Sequence, residues 1–87
     1  MDKRELSQRV AKDYKHMIGK RYRHFKGNVY VVSNIAVHSE TSELRVIYYS
    51  EDNPECVWDR GLEMFLSPVD KEKYPNVEQV LRFEPIG

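Results

Sequence analysis

The sequence predicts a mainly β fold of the α+β type. We expect a small curled antiparallel sheet, or a partly open SH3-like barrel, of four to five strands with an N-terminal amphipathic helix. Apolar residues recur at helical spacing up to residue 18, and they alternate with polar residues after Gly19. Turn-forming residues then separate short runs rich in Val, Ile and Tyr. The 87 residues suffice for one structural domain, made of a basic helix over 1–18 and a small β-barrel domain over 19–87.

The predicted helix has a start signal, an apolar face and a stop signal. Asp2 precedes Glu5 by three residues, a spacing close to that of the capping box. Gly19 supplies the left-handed residue that commonly follows a helix. The apolar residues that share one face are Leu6, Val10, Tyr14, Met17 and Ile18. This face predicts packing against a core, and the remaining faces are basic.

The rest of the chain is predicted to consist mostly of strands. The predicted strands cover residues 20–26, 29–38, 44–50, 56–60 and 80–83, with one helical turn at 62–66. Gly27-Asn28 indicates a two-residue hairpin. In the second strand the odd-numbered residues form the better apolar face, and Ser33-Asn34 indicates a bulge or bend. In the third strand we expect Leu44, Val46 and Tyr48 to face inward.

Composition excludes some classes of protein and favours others. Cys56 is the single cysteine, so no intramolecular disulfide and no paired-cysteine zinc site can form. We expect no signal peptide, no membrane span and a cytoplasmic location, because no apolar run opens the chain. Residues 1–28 carry nine Lys and Arg against three Asp and Glu, whereas residues 29–87 carry five against eleven. Such a split is typical of a basic arm for a polyanion, and equally of a solvated or self-complementary helix.

The polar cluster His38-Ser39-Glu40-Thr41 joins the second and third strands. His38 and Glu40 share a face if the strand continues, and a carboxylate beside an imidazole is half of a general-base device. The alternative is a turn whose polar side chains bind its own amides, with His38 at the strand end. No nucleophile accompanies the pair on that face, so the turn interpretation is favoured.

The three histidines do not predict a metal site. His16, His24 and His38 are separated by eight and fourteen residues, which matches no ligand signature. We therefore expect neither a metal nor a cofactor.

Two further patterns are compatible with binding. Cations and aromatics alternate over residues 20–26, a composition that neutralises phosphates and stacks bases. The residues of this candidate nucleic-acid surface are Lys20, Arg21, Arg23, Phe25 and Lys26. Trp58 and Arg60 share a strand face, and they combine an aromatic wall with a fork-shaped donor for a carboxylate or phosphate. The alternative places Trp58 at the centre of the core and uses Arg60 to hold a loop.

Several short motifs together resemble one family. The motifs are Tyr22-Arg23-His24-Phe25-Lys26-Gly27, Tyr30, His38-Ser39-Glu40-Thr41, Trp58, Arg60 and Met64-Phe65. In order and spacing they are similar to the bacterial domain of unknown function 1653 family, over roughly residues 19 to 84. The resemblance implies a small, mostly β bacterial domain and carries no activity. Such sequences usually have Pro after the arginine, where this chain has Gly61.

The leading hypothesis is a non-catalytic binding module for a small ligand or a protein partner. Its candidate site consists of Tyr22, His24, His38, Glu40, Trp58 and Arg60. The alternative is binding of RNA or single-stranded DNA through the basic-aromatic first strand and the helix. A small enzyme that uses His38 with Glu40 is the third hypothesis.

Overall fold

The structure, a computed structural model, describes residues 2–87 apart from the side chains of residues 3 and 11. Met1, the first residue of the predicted helix, lies outside the described residues. The elements in chain order are α1 (Lys3–Asp13), a 3₁₀ turn (Lys15–Met17), β1 (Arg21–His24), β2 (Val29–Val37), β3 (Leu44–Ser50), β4 (Val57–Gly61), α2 (Leu62–Phe65) and β5 (Phe83–Ile86). The strands form one antiparallel sheet in the order β4-β3-β2-β1-β5, which confirms the mainly β class. The sheet is not closed, because β4 and β5 end it without pairing.

Helix α1 packs on the sheet of its own chain. The Asp2 side chain accepts the Glu5 N–H at 2.9 Å, which confirms the predicted cap. Val10 belongs to the buried core, and Tyr14 packs against that core. The helix is shorter than predicted, because the chain tightens into the 3₁₀ turn before Gly19. Among the described residues the helix makes one ion pair, between its own Arg9 and Asp13, so its basic face is solvated. No described helix has the length and apolarity needed to cross a membrane.

A bulge in β2 determines which side chains reach the core. The register with β3 shifts between Val32 and Asn34, and Ser33 is the extra residue. Even-numbered residues such as Val32 face inward before the bulge, and odd-numbered residues such as Ile35 face inward after it. The bulge was predicted, but an odd-numbered inward face throughout β2 was wrong, because one extra residue reverses the alternation.

The core is centred on two stacked phenylalanines. Phe65 from α2 is fully buried, and its ring lies 4.1 Å from that of Phe83 in β5 with an interplanar angle of 8°. Val46 and Tyr48 point into this core from β3, as predicted. Trp58 is 49% exposed and is therefore not the core centre.

Several strand boundaries also differ from prediction. β1 ends at His24 because the Gly27 N–H donates to the His24 carbonyl and turns the chain, and a four-residue turn at 25–28 replaces the predicted two-residue hairpin. β4 lies one residue later than expected. The last strand is Phe83–Ile86 rather than 80–83, because Phe83 fills the core whereas Val80 is 67% exposed.

Gly61 adopts a backbone that proline also adopts, with φ −58°. A Cβ at this position would lie 2.6 Å from the Oε1 of Glu43. The Glu43 carboxylate pairs with Arg45 at 2.9 Å. In this chain an acidic side chain therefore fills the space beside residue 61.

Candidate functional site

The inner face of the sheet brings together four of the six predicted ligand-site residues. The four are Tyr22, His24, Trp58 and Arg60. Trp58 and Arg60 stand opposite Tyr48 and Val46, which are both buried, so all four point to the same side of the sheet. Tyr22 is 7% exposed and packs edge-on against Phe65, so it supports the site from within the core.

Arg60 is anchored at Nε, and its side chain makes no other hydrogen bond within the described residues. Its Nε donates to the hydroxyl of Tyr48 at 3.1 Å, and its Cζ lies 5.5 Å from the ring centroid of Phe83. Within residues 2–87 no carboxylate lies within 4.0 Å of its guanidinium nitrogens. The terminal amino groups, which form the fork that grips a carboxylate, therefore have no acidic partner in the described chain.

Arg82 is anchored in the same way as Arg60, through its Nε. Its Nε donates to the Oγ of Ser67 at 3.2 Å, and its backbone N–H donates to the Ser67 carbonyl at 2.9 Å. It too forms none of the ion pairs recorded over residues 2–87. Sequence analysis missed Arg82, because its position is set by a contact with a residue fifteen positions earlier. No short motif around Arg82 could have indicated this.

His24 lies between aromatic rings and cations. Its ring stacks on Phe25 at 4.4 Å and meets the edge of Phe83 at 5.0 Å. Its Nδ1 accepts the Lys26 N–H at 3.1 Å, so the neutral imidazole carries its proton on Nε2. Burial lowers the pKa of His24 to about 4, and the charges of Arg60, Arg82 and Lys26 add to this effect. His24 is therefore an uncharged donor at neutral pH.

We call Lys26, Arg60, Arg82 and His24 the cationic cluster, because the charges of the three cations all act on the His24 imidazole. Trp58 lies beside it on the same sheet face, and its Nε1 donates to the Ser50 hydroxyl at 3.2 Å. The two arginines and Trp58 each use one N–H on a hydroxyl of the protein. The geometry thus orients aromatic faces and cationic forks at a partly exposed surface.

The predicted pair His38 and Glu40 lies elsewhere. His38 directly follows β2 and lies eight residues beyond Tyr30, which pairs with Tyr22, and eight residues of extended chain span about 25 Å. Its Nδ1 accepts the N–H groups of Glu40 and Thr41 at 3.2 and 3.3 Å. These bonds hold the turn, and no hydrogen bond or ion pair joins the imidazole to the Glu40 carboxylate in the described chain.

The candidate nucleic-acid residues do not form one surface. Arg21 and Arg23 lie on the outer face of β1, as predicted. Two hydrogen bonds of 3.0 Å tie the Arg21 guanidinium to the Glu51 carboxylate. Alternation along a strand over 20–26 would place Phe25 on the same face as Arg21 and Arg23, but Phe25 lies beyond the end of β1 and packs between His24 and Tyr74. Lys26 extends over Phe25 and Tyr74 instead, and Lys20 precedes the strand as an exposed residue.

The prominent clefts lie away from the cationic cluster. One of about 290 Å³ lies between α1 and β2, near Val10 and Ile35, and another of about 440 Å³ lies beside Tyr22 and Pro85. A third, of about 260 Å³, is near Tyr14 and Leu62. The lining of these clefts is mostly apolar, whereas a site for a charged ligand needs polar groups that converge. Among the described residues, no three His, Cys, Asp or Glu side chains converge as metal ligands do.

Fold and surface together define a small open-sheet domain with a cationic cluster that has no acidic partner among the described residues. The family described as "Protein of unknown function (DUF1653)" matches residues 20–85, and the chain belongs to it. A crystal structure of a protein of this family from Bordetella bronchiseptica is similar, with 25% identity and a TM-score of 0.65. The match covers 84% of this chain and 91% of that one. No curated protein matches the sequence.

Proposed function

We propose that this protein is a non-catalytic binding module that recognises a carboxylate through its cationic cluster. The observation that carries the proposal is the state of Arg60, which is anchored at Nε and has no acidic partner within the described chain. A guanidinium held in this way loses little freedom when a carboxylate docks on its fork.

The surroundings of Arg60 support recognition of a negative charge. Arg82 and Lys26 add two more cations, and the Nε2–H of His24 adds an uncharged donor. Hydrogen bonds to charged groups contribute about 1.5 to 3 kcal/mol each, and a partly desolvated surface strengthens them. Because the cluster lies on a surface and not in a cleft, a carboxylate carried by a larger molecule fits it better than an enclosed metabolite.

The hydroxyl groups of the site support binding and not a reaction. Those of Tyr48 and Ser50 accept from Arg60 and Trp58, and that of Ser67 accepts from Arg82 while it donates to the Met64 carbonyl. Each therefore orients a donor. A nucleophile needs an adjacent base to remove its proton, and no described hydroxyl at the cluster hydrogen-bonds to His24.

The test is an NMR titration of the labelled protein with oxalate at pH 7, against sodium chloride at equal ionic strength. We expect saturable shifts of the Arg60 and Arg82 Nε–H signals and of the His24 ring. Arg60→Gln should weaken oxalate binding about tenfold or more, since a charged hydrogen-bond donor is lost. Arg23→Gln, on the outer face, is the matched control and should leave binding unchanged. Equal shifts in oxalate and in chloride would refute the proposal.

Nucleic-acid binding is the competing hypothesis, and the same spectra test it. A single-stranded RNA pool at low and physiological salt should shift the signals of Lys20, Arg21 and Arg23 if that hypothesis is right. The pairing of Arg21 with Glu51 removes one of the three charges from such a surface. Salt-sensitive RNA shifts on that face, with none at the cationic cluster, would replace the carboxylate proposal.

A further inference from the structure

Strand β4 is an edge strand whose outward backbone groups have no partner within residues 2–87. The Ser50 N–H donates to the Cys56 carbonyl, which fixes the alternation of the β3–β4 ladder. The backbone N–H and C=O groups of Trp58 and Arg60 therefore bond to β3, whereas those of Val57 and Asp59 point away from β3. Outside the ladder, no backbone hydrogen bond of the described chain involves Val57 or Asp59. A row of free donors and acceptors of this kind is a template for another strand.

The opposite edge is protected. The Phe25 N–H donates to the Arg82 carbonyl, so by the same alternation Arg23 and Glu84 form a hydrogen-bonded pair across β1 and β5. Pro85 then falls at an outward position, where it has no N–H to offer. Proline is a common guard of sheet edges, and β4 carries none.

The side chains along β4 indicate what kind of strand fits. Val57 is 60% exposed and Trp58 is 49% exposed, so an added strand would cover apolar surface on both faces. Arg60, the next inner-face residue after Trp58, has no carboxylate partner in the described chain. An added residue directly opposite Arg60 would place its Cβ about 5 Å from the Arg60 Cβ, on the same face.

We propose that the β4 edge accepts an extended acidic segment of a partner protein as a sixth, antiparallel strand. This inference rests on the proposed carboxylate site and names the molecule that carries the carboxylate. The segment has a Glu or Asp opposite Arg60 and, two residues later, an aromatic or large apolar residue opposite Trp58. Its backbone bonds to Val57 and Asp59, which gives affinity, and the two inner side chains give specificity.

A second copy of this chain fits the edge less well. If the β4 strands of two copies paired to continue the sheet, the residues facing Arg60 would be even-numbered inner-face residues of the other copy. In β4 these are Trp58 and Arg60 themselves, and neither supplies a carboxylate. Charge complementarity therefore favours a different, acidic chain.

The experiment uses a blocked peptide, Ser-Thr-Glu-Thr-Tyr-Thr-Ser, and amide hydrogen exchange of the intact protein. We expect exchange of the Val57 and Asp59 N–H groups to slow at least tenfold when the peptide binds. The Trp58 and Arg60 N–H groups already bond to β3 and serve as internal controls with no comparable change. Peptide binding that leaves Val57 and Asp59 unprotected would overturn the strand-addition proposal.

Two matched pairs of variants separate the backbone from the charge. Val57→Pro removes an outward N–H, and we expect it to weaken the peptide about tenfold, whereas Val57→Thr keeps that N–H and the affinity. Arg60→Gln should weaken the peptide by a similar factor, and Arg60→Lys should restore part of the loss. An equal effect of Val57→Pro and Val57→Thr would count against bonding at the edge.

Oxalate distinguishes failure of this inference from failure of the carboxylate site. Val57→Pro should bind oxalate like the original protein, because Val57 lies on the outer face away from the cluster. If the unaltered protein binds oxalate but not the peptide, strand addition alone is overturned. If it binds neither, both proposals are overturned. Protection of Val57 and Asp59 that rises with protein concentration, without peptide, would assign the edge to a second copy.

Discussion

His24 and His38 make the same local hydrogen bond in opposite surroundings. Each accepts, at Nδ1, the N–H of the residue two positions later. His38 is exposed, and it also accepts the Thr41 N–H, so the turn around it uses its own polar groups. His24 lies against aromatic rings and beside cations that have no acidic partner within residues 2–87. A candidate binding site is thus marked by hydrogen-bond donors that are left unused, whereas a turn is marked by donors that are satisfied.

The largest expected effect comes from removing the ring of Phe83, which His24 contacts. Phe83→Ala should lower the free energy of unfolding by about 3 to 5 kcal/mol, since this 3%-exposed ring stacks on Phe65 and supports Arg60. Urea unfolding measures the change. Leu81→Ala, at a 39%-exposed position, is the control and should cost far less. Similar losses for the two variants would mean that Phe83 is not part of the central core.

A smaller effect is expected in the pH dependence of stability. The folded pKa of His24, about 4, lies below the ordinary value of 6.5, so the unfolded chain binds a proton that the folded chain refuses. This contribution to stability is therefore fully present above pH 6.5 and is lost as the pH falls towards 4. His24→Asn should reduce the loss between pH 7.5 and 4.5 by roughly 1 to 2 kcal/mol, discounted for the exposed part of the ring.

Urea unfolding at several pH values measures this difference. His38→Asn is the matched control at the other histidine. The assignment of the pH dependence to His24 fails if both variants flatten the curve equally.

The smallest expected effect is the loss of stability when His38 is replaced. His38→Ala should cost about 1 kcal/mol of stability, because the amides of Glu40 and Thr41 lose an acceptor but remain exposed to water. Oxalate affinity should stay within twofold of the original, in contrast with Arg60→Gln. A loss of oxalate binding comparable to that of Arg60→Gln would show that the two regions act together.

Short-range signals predicted most of the fold. The cap at Asp2, the strand at Leu44–Ser50 and the bulge at Ser33 depend on neighbours within a few residues, and each was predicted. The fifth strand was displaced, because the competition between Val80 and Phe83 for the core is decided by distant rings. A local pattern does not predict which of two nearby apolar residues is buried in the core.

The candidate site was only partly predictable for the same reason. Trp58 and Arg60 were placed on one face by alternation alone, and they do share it. Arg82 was missed, and the pairing of Arg21 was not foreseen, because their states depend on Ser67 and Glu51, which lie far away in the sequence. Whether an arginine is free or paired is a property of the folded chain.

Gly61 has a consequence for the unfolded chain. Its φ of −58° lies in the range that proline adopts, so the folded backbone gains nothing from glycine. The unfolded chain, however, gains conformational freedom at that residue, which costs stability by roughly 0.4 to 1 kcal/mol relative to proline. A Cβ at residue 61 would displace the Glu43 carboxylate. Residues 43 and 61 are thus expected to vary together among relatives, with proline accompanied by a smaller side chain at position 43.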